Sequence, residues 1–319
     1  MSRLFVFGLG YSARAVVNRM RPKLDAVWGT TRNPAKRDEI AELGVVPLLF
    51  DGEASPPPLR GRVGERGREK AVAVSFPPFR LFPARGERAL LSDADHVLIS
   101  IPPDTSGDSV LRCFGEELTS AKLHSLVYFS TVGVYGDHGG AWVDEESECR
   151  PVSERSRLRL DAEAAWQRFA DESGIPVAVI RLAGIYGPGR GPFEKVQRGT
   201  ARRIVKPGQV FNRIHVDDIA AIVEAAFDRR ANGIFNGVDD EPAPPEDVLA
   251  YAADLLGLPP PPEVRFERAE LTPMARSFYA ESKRVRNGKI KRELGVRLAY
   301  PTYREGLKAV LEADGTGRR

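Results

Sequence analysis

A doubly wound α/β fold is predicted here: a parallel sheet covered by helices on both faces, with a smaller C-terminal α+β region for substrate. Three features predict it. Short apolar runs recur through the first two thirds of the chain. Stretches with apolar residues at helical spacing separate them. The runs are near-continuous in Val, Ile, Leu and Phe rather than alternating, as strands are when both faces are buried. Such strands, alternating with helices, form a parallel sheet between helical layers.

The elements follow in order. Leu4–Phe7 reads as the first strand, and Ala13, Val16, Val17 and Met20 then recur at helical offsets. Ala26–Trp28 and Val45–Phe50 read as the second and third strands. Val97–Ile101, Leu126–Phe129 and Val177–Leu182 read as three more. Between the third and fourth, residues 53–93 are rich in Pro, Gly and Arg and include Pro56-Pro57-Pro58 and Pro77-Pro78. A crossover needs only about a dozen residues, so this stretch reads as an insertion, partly disordered. Helices are expected over Asp217–Asp228 and Pro245–Leu256, with Asn236–Pro245 loop-like between them. The basic tail Lys283–Leu311 carries Leu294, Leu307 and Val310 at helical offsets. The chain thus divides into a nucleotide-binding domain over 1–186 and a smaller region over 187–319. The helix at 217–230 is expected to pack back on the first domain.

Composition narrows the function. The chain has 319 residues, 42% hydrophobic and 29% charged, which suits a globular protein and excludes wholesale disorder. A net charge of +3 is too diffuse for a nucleic-acid binder and fits a small anionic ligand better. The two cysteines imply no disulfide framework and suit a reducing compartment. The four histidines show no metal-ligand spacing, so no metal is expected. No apolar run approaches the ~18 residues of a membrane span. A cytoplasmic protein acting on a small molecule is the expectation.

Gly8-Leu9-Gly10-Tyr11-Ser12-Ala13 directly follows the first strand and opens the first helix. This is the form GxGxxA. The first glycine permits a tight turn, the second lets a pyrophosphate approach the backbone, and the small third residue allows close helix–strand packing. The helix start then offers free N–H groups and positive dipole to the phosphates. This is a Rossmann dinucleotide site. The end of the second strand selects the cofactor. A site for NAD wants Asp or Glu there, to accept from the ribose 2′-hydroxyl. Here Thr30-Thr31-Arg32-Asn33 stands instead. The planar guanidinium of Arg32 suits a 2′-phosphate, with Thr31 adding a hydroxyl, so NADP is favoured over NAD.

Together with three further motifs, the chain resembles the extended short-chain dehydrogenase/reductases, and more narrowly the NAD-dependent epimerase/dehydratase group with its atypical members. The motifs are Phe129-Ser130-Thr131-Val132-Gly133-Val134-Tyr135-Gly136, Arg181-Leu182-Ala183-Gly184-Ile185-Tyr186-Gly187-Pro188-Gly189, and Ile214-His215-Val216-Asp217-Asp218. The resemblance implies that Ser130 or Thr131 hydrogen-bonds a substrate oxygen near the nicotinamide. It implies that Asp51 meets the adenine end and that Ile101 and Pro102 line the cofactor. Asp217 and Asp218 are expected to cap a helix rather than to do chemistry. A homodimer is also implied.

One departure from that family matters. Its signature is a Tyr and a Lys at i, i+4 on the helix after the fifth strand. The helix is read here over Pro151–Phe169, with Leu158, Ala162, Ala165, Trp166 and Phe169 as its buried stripe. Aligning on Ala162-Glu163 puts Arg155 at the tyrosine and Arg159 at the lysine. Arg159 can still hold ribose hydroxyls, and Arg155 can bind an anion. An arginine stays protonated at neutral pH and cannot replace the tyrosine as acid/base. Tyr135, Asp137, His138 and Tyr186 are the other candidates for a proton donor. Gly184 stands where the sugar-nucleotide enzymes often carry Asn, which weighs against such substrates. Arg198, Arg202, Arg203, Lys206 and Arg213 fall near the expected cleft and suit a carboxylate or phosphate. Two readings stand: an NADP-dependent oxidoreductase or epimerase-like enzyme with an atypical active site, and a catalytically silent NADP-binding sensor or partner-binding protein.

Overall fold

The computed structural model describes residues 2–52 and 90–316. Most of the stretch read above as an insertion, residues 53–89, lies outside the described residues.

Seven strands form one parallel sheet: β1 (Ser2–Phe7), β2 (Leu24–Thr31), β3 (Val46–Leu49), β4 (His96–Ile99), β5 (Ser125–Thr131), β7 (Val177–Leu182) and β11 (Gly233–Gly237). Their order is β11-β7-β5-β4-β1-β2-β3, and every neighbouring pair is parallel. The order reverses at β1/β4, which opens a crevice outside the carboxyl ends of those two strands. The remaining strands are short pairs: β6 (Trp142–Val143) with β13 (Arg284–Val285), β8 (Gly184–Tyr186) with β10 (Arg213–His215), and β9 (Arg203–Val205) with β12 (Glu263–Arg265).

Ten helices flank the strands among the described residues: α1 (Tyr11–Met20), α2 (Arg37–Glu42), α3 (Ser109–Ser120), α4 (Glu154–Ser173), α5 (Phe193–Gln197), α6 (Val216–Asp228), α7 (Pro245–Leu255), α8 (Pro273–Phe278), α9 (Gly288–Glu293) and α10 (Tyr303–Thr316). On one face of the sheet α1 and α6 pack together, burying Val16, Val17, Ile219, Val223 and Phe227. On the other, α3 and α4 bury Phe114, Leu118, Trp166 and Phe169 against Phe5, Phe7 and Tyr128. Large side chains of this kind contribute roughly 1.5–3 kcal/mol each when buried fully. A third cluster joins Tyr186, Phe193, Ala252, Tyr303 and Leu307 in the C-terminal region. No helix among the described residues is long and apolar enough to cross a membrane.

Three sequence expectations are corrected. Asn236 and Gly237 belong to β11, the seventh strand of the main sheet, and not to a loop. The pattern Gly-Ile-Phe-Asn-Gly is too short and Gly-rich to read as a strand until Val177–Leu182 supplies its partner. The buried stripe of α4 runs through Ser156, Arg159, Ala162, Glu163, Trp166, Phe169 and Ala170, while Leu158 and Ala165 are half-buried. Finally, α6 is capped by the side chain of His215, which accepts from the Asp217 N–H at 3.2 Å. Asp218 is buried and accepts instead from the N–H groups of Ala299 (2.7 Å) and Tyr300 (3.1 Å), tying the tail to this helix.

Candidate dinucleotide and active site

The turn after β1 stands at the strand-order reversal. Gly8 has φ +88°, and a Cβ there would lie 2.5 Å from Ile101 Cγ2. Only glycine fits both the conformation and the space. Its N–H donates to Thr30 Oγ1 at 2.8 Å, and the Leu9 N–H donates to the Thr30 carbonyl at 2.9 Å. The turn is thereby fastened to the end of β2. Gly10 is the N-cap of α1 and gives it no side-chain cap, and nothing stands within 4 Å of where its Cβ would project. The first-turn N–H groups of a helix need an external acceptor, and the space beside Gly10 leaves room for one. Ser12 and Ala13 are buried, Ala13 completely, which brings α1 close to the sheet. The Tyr11 side chain turns aside: its hydroxyl donates to the Pro188 carbonyl at 3.0 Å, under the Arg190 guanidinium 5.5 Å from its ring. Partial burial pushes its hydroxyl pKa up to about 12.

At the end of β2, Thr31 Oγ1 accepts from the Asn33 N–H at 3.2 Å. Arg32 is exposed and has no hydrogen-bond or ion-pair partner among the described residues. Across the reversal, Ile101 is half-buried and Pro102 exposed beyond the end of β4. Asp51 is exposed, two residues past the end of β3.

The five residues expected to act on substrate are divided. Thr131, half-buried at the end of β5, accepts from the Gly133 N–H at 3.1 Å, which leaves its own hydrogen to donate. Arg159 points inward from α4, donating to the Tyr128 hydroxyl at 3.1 Å and to the Phe129 carbonyl. Arg155, one turn earlier, is exposed and unpartnered among the described residues. Ser130 is buried and donates to Glu163. Tyr135 is completely buried, with its hydroxyl donating to Asn236 Oδ1 at 2.8 Å and the Arg181 guanidinium 4.7 Å from its ring. Burial pushes its pKa up to about 12, against the pull of Arg181. Ser130 and Tyr135 thus face an interior polar network.

That network was missed in the sequence. Its centre is Glu163 on α4 paired with Arg181 on β7. Ser156, also missed, is buried with its Oγ 2.8 Å from where a Gly133 Cβ would sit, and Thr131 Oγ1 lies 3.3 Å from the same point. Two hydroxyls therefore flank the open side of Gly133. Helical spacing from Arg159 could have flagged Ser156, three residues earlier. Of the basic residues expected in the cleft, Arg202, Arg203, Lys206 and Arg213 each donate to backbone carbonyls, and Arg198 pairs with Glu194.

Comparison with known proteins agrees with the fold. Residues 115–236 match the model of the NAD dependent epimerase/dehydratase family. A solved structure of a functionally unknown conserved protein from Silicibacter pomeroyi DSS is 45% identical, with a TM-score of 0.81 over 98% of this chain and 99% of that one. UDP-glucuronic acid 4-epimerase from Bacillus cereus, solved with NAD, shares the fold at a TM-score of 0.69 and 16% identity, over 99% of this chain and all of that one. Among curated proteins, 3-diazoavenalumate denitrifying reductase from a Streptomyces species is 30% identical over 159 residues, 46% of this chain and 51% of its own length. Protein YeeZ of Escherichia coli K12 is 28% identical over 219 residues, 66% of this chain and 73% of its own. The match thus spans only about half the length of the reductase. The chain is thus similar to the NAD dependent epimerase/dehydratase family over residues 115–236, and along its whole length it shares the fold of the NAD-bound epimerase.

Proposed function

We propose that this chain is an NADPH-dependent reductase of a small, anionic and strongly electrophilic substrate. One observation carries the reading: Arg155, exposed and unpartnered at the start of α4, stands where the family's acid/base tyrosine is expected. Oxidising a hydroxyl, the opening step for an epimerase or dehydratase, needs a base to take its proton. Arginine stays charged and cannot take one. Hydride addition to a centre that is already electron-poor asks less of the protein, which has only to place the substrate and stabilise its charge.

The cradle fits a dinucleotide phosphate, as the Gly8 turn and the uncapped start of α1 indicate. Arg32 would hold the 2′-phosphate. Bound NADPH supplies the hydride. Thr131 would donate its free hydrogen to a substrate heteroatom. Arg159, held by Phe129 and Tyr128, would shape the floor and present positive charge. Arg155 would bind the substrate's carboxylate. The name of the Streptomyces relative, a reductase of a diazo carboxylate, supports this direction of chemistry and this charge.

The test uses NADPH deuterated at the transferable position, with three substrate classes: an arenediazonium carboxylate, an aryl aldehyde and a UDP-sugar. Deuterium in the reduced arene, and a KM raised at least tenfold with kcat retained in Arg155→Ala, is the expected result. Turnover of the UDP-sugar, or none of the anionic electrophile despite tight NADPH binding, would remove the reading.

A further inference from the structure

A cavity of about 270 Å³ opens in the C-terminal region. Its walls are apolar: Tyr186 from β8, Val248 from α7, and Tyr303 and Leu307 from α10. Two cations interrupt them. Arg190 is exposed, and Arg213, at the start of β10, is only partly exposed. None of the residues expected to hold the dinucleotide lines this space.

Arg213 is the unusual member. One of its terminal nitrogens donates to the carbonyls of Phe211 (2.9 Å) and Ala243 (3.1 Å). Its other N–H donors have no acceptor among the described residues, and no carboxylate lies within ion-pair distance. Asp239 is the acidic group that acts on it most, but the two share no hydrogen bond or ion pair. Asp239 is buried at 2% exposure, has one carboxyl oxygen without any partner, and is driven strongly toward its neutral form by burial. Glu241 is taken by Arg304. A guanidinium set in an apolar wall with N–H donors left unmade is costly. A ligand carboxylate would relieve that cost through the bidentate geometry that arginine favours. Apolar walls with one or two convergent polar groups are the usual make-up of a small-molecule site, and the volume lies just under the range of about 300–1,000 Å³ for drug-sized ligands.

We infer that this cavity is a second ligand site, for a small aryl or alkyl carboxylate whose anionic head meets Arg213 and whose body packs between Tyr186, Val248 and Leu307. It does not depend on the reductase reading: no expected dinucleotide residue lines the cavity, although Arg190 at its edge also lies over the Tyr11 ring. Arg190 adds charge at the same cavity.

Calorimetric titration of the full chain with benzoate and hexanoate tests it, with benzyl alcohol as the uncharged probe and saturating NADPH in a parallel series. Arg213→Gln removes the charge. Leu307→Trp fills the cavity and leaves the arginine, covering the case in which the first variant fails to fold. Saturable binding of a carboxylate but not of the alcohol, at one site, unchanged by NADPH and weakened at least tenfold in either folded variant, is expected. Absence of saturable binding to the wild-type chain would overturn the site. So would binding displaced by NADPH, or binding indifferent to Leu307→Trp. NADPH affinity, read in the same titrations, tells a failure here from a failure of the dinucleotide site.

Discussion

Glu163 on α4 and Arg181 on β7 form an ion pair with 2.7 Å between Oε2 and Nη2, and their side chains are 2% and 3% exposed. Ser130 donates to the same carboxylate. Burial alone would lower the Arg181 pKa, but Glu163 outweighs it and holds the guanidinium well above its ordinary range. The pair ties the helix that carries Arg155 and Arg159 to β7, beside the candidate site. Losing one partner strands the other's charge in the core, at a cost of about 3–5 kcal/mol. Glu163→Leu and Arg181→Leu are each expected to lose that much in urea unfolding, with the double variant more stable than either single one. A double variant as weak as the sum of the two would show that the residues act separately.

Gly8 is held by two independent constraints, its φ of +88° and the 2.5 Å approach to Ile101 Cγ2. Gly8→Ala is expected to cost roughly 1–3 kcal/mol from backbone strain alone, and to weaken NADPH binding at least tenfold. Adding Ile101→Ala removes the collision but not the strain, so recovery should be partial. Full recovery would show that φ at this position is immaterial.

Arg32 has no other partner among the described residues, so its guanidinium is available to a 2′-phosphate. A charge-assisted hydrogen bond is worth about 1.5–3 kcal/mol. Arg32→Ala should therefore weaken NADPH by roughly 10–100-fold and leave NADH nearly unchanged, by calorimetry. Equal losses for both cofactors would mean that Arg32 serves the fold and does not select.

Much of this was legible in the chain because it is local. The glycine turn, the Val/Ile/Leu strands and the helix starts are each set by neighbours within a few residues, so β1, β2, β7 and α6 fall close to where the pattern places them. What could not be read depends on partners far along the chain. Glu163 looks like a surface residue until Arg181, on another strand, supplies its counter-charge. That exchange moves the α4 stripe off Leu158 and Ala165. Asn236 looks like loop until Val177–Leu182 pairs with it, and Tyr135 looks available for chemistry until Asn236 takes its hydroxyl. The acid/base question turned on residue identity, which the sequence states directly. The depth at which each side chain sits is a tertiary fact.

His96 on β4 gives the chain an acid-sensitive core. Its ring lies tilted against that of Phe227 at 4.7 Å between centroids, and its Nδ1 lies 3.1 Å from Ser125 Oγ. Burial first, and then repulsion from His124, lowers its pKa from 6.5 to about 4. The unfolded chain therefore binds a proton at this residue that the folded chain refuses. Its contribution to stability is full above pH 6.5 and is lost as pH falls from there toward 4, by roughly 3 kcal/mol at about 1.36 kcal/mol per pKa unit. His215, also lowered by burial, acts in the same direction. Asp108, Asp218 and Asp239, raised by burial, act in the opposite one. The clean observable is thus the difference between two curves. In urea unfolding from pH 7.5 to 4.5, the wild-type chain should lose stability relative to His96→Gln as pH falls, whatever the offset at neutral pH. Parallel curves would mean that His96 titrates normally and that the core stays open to its proton.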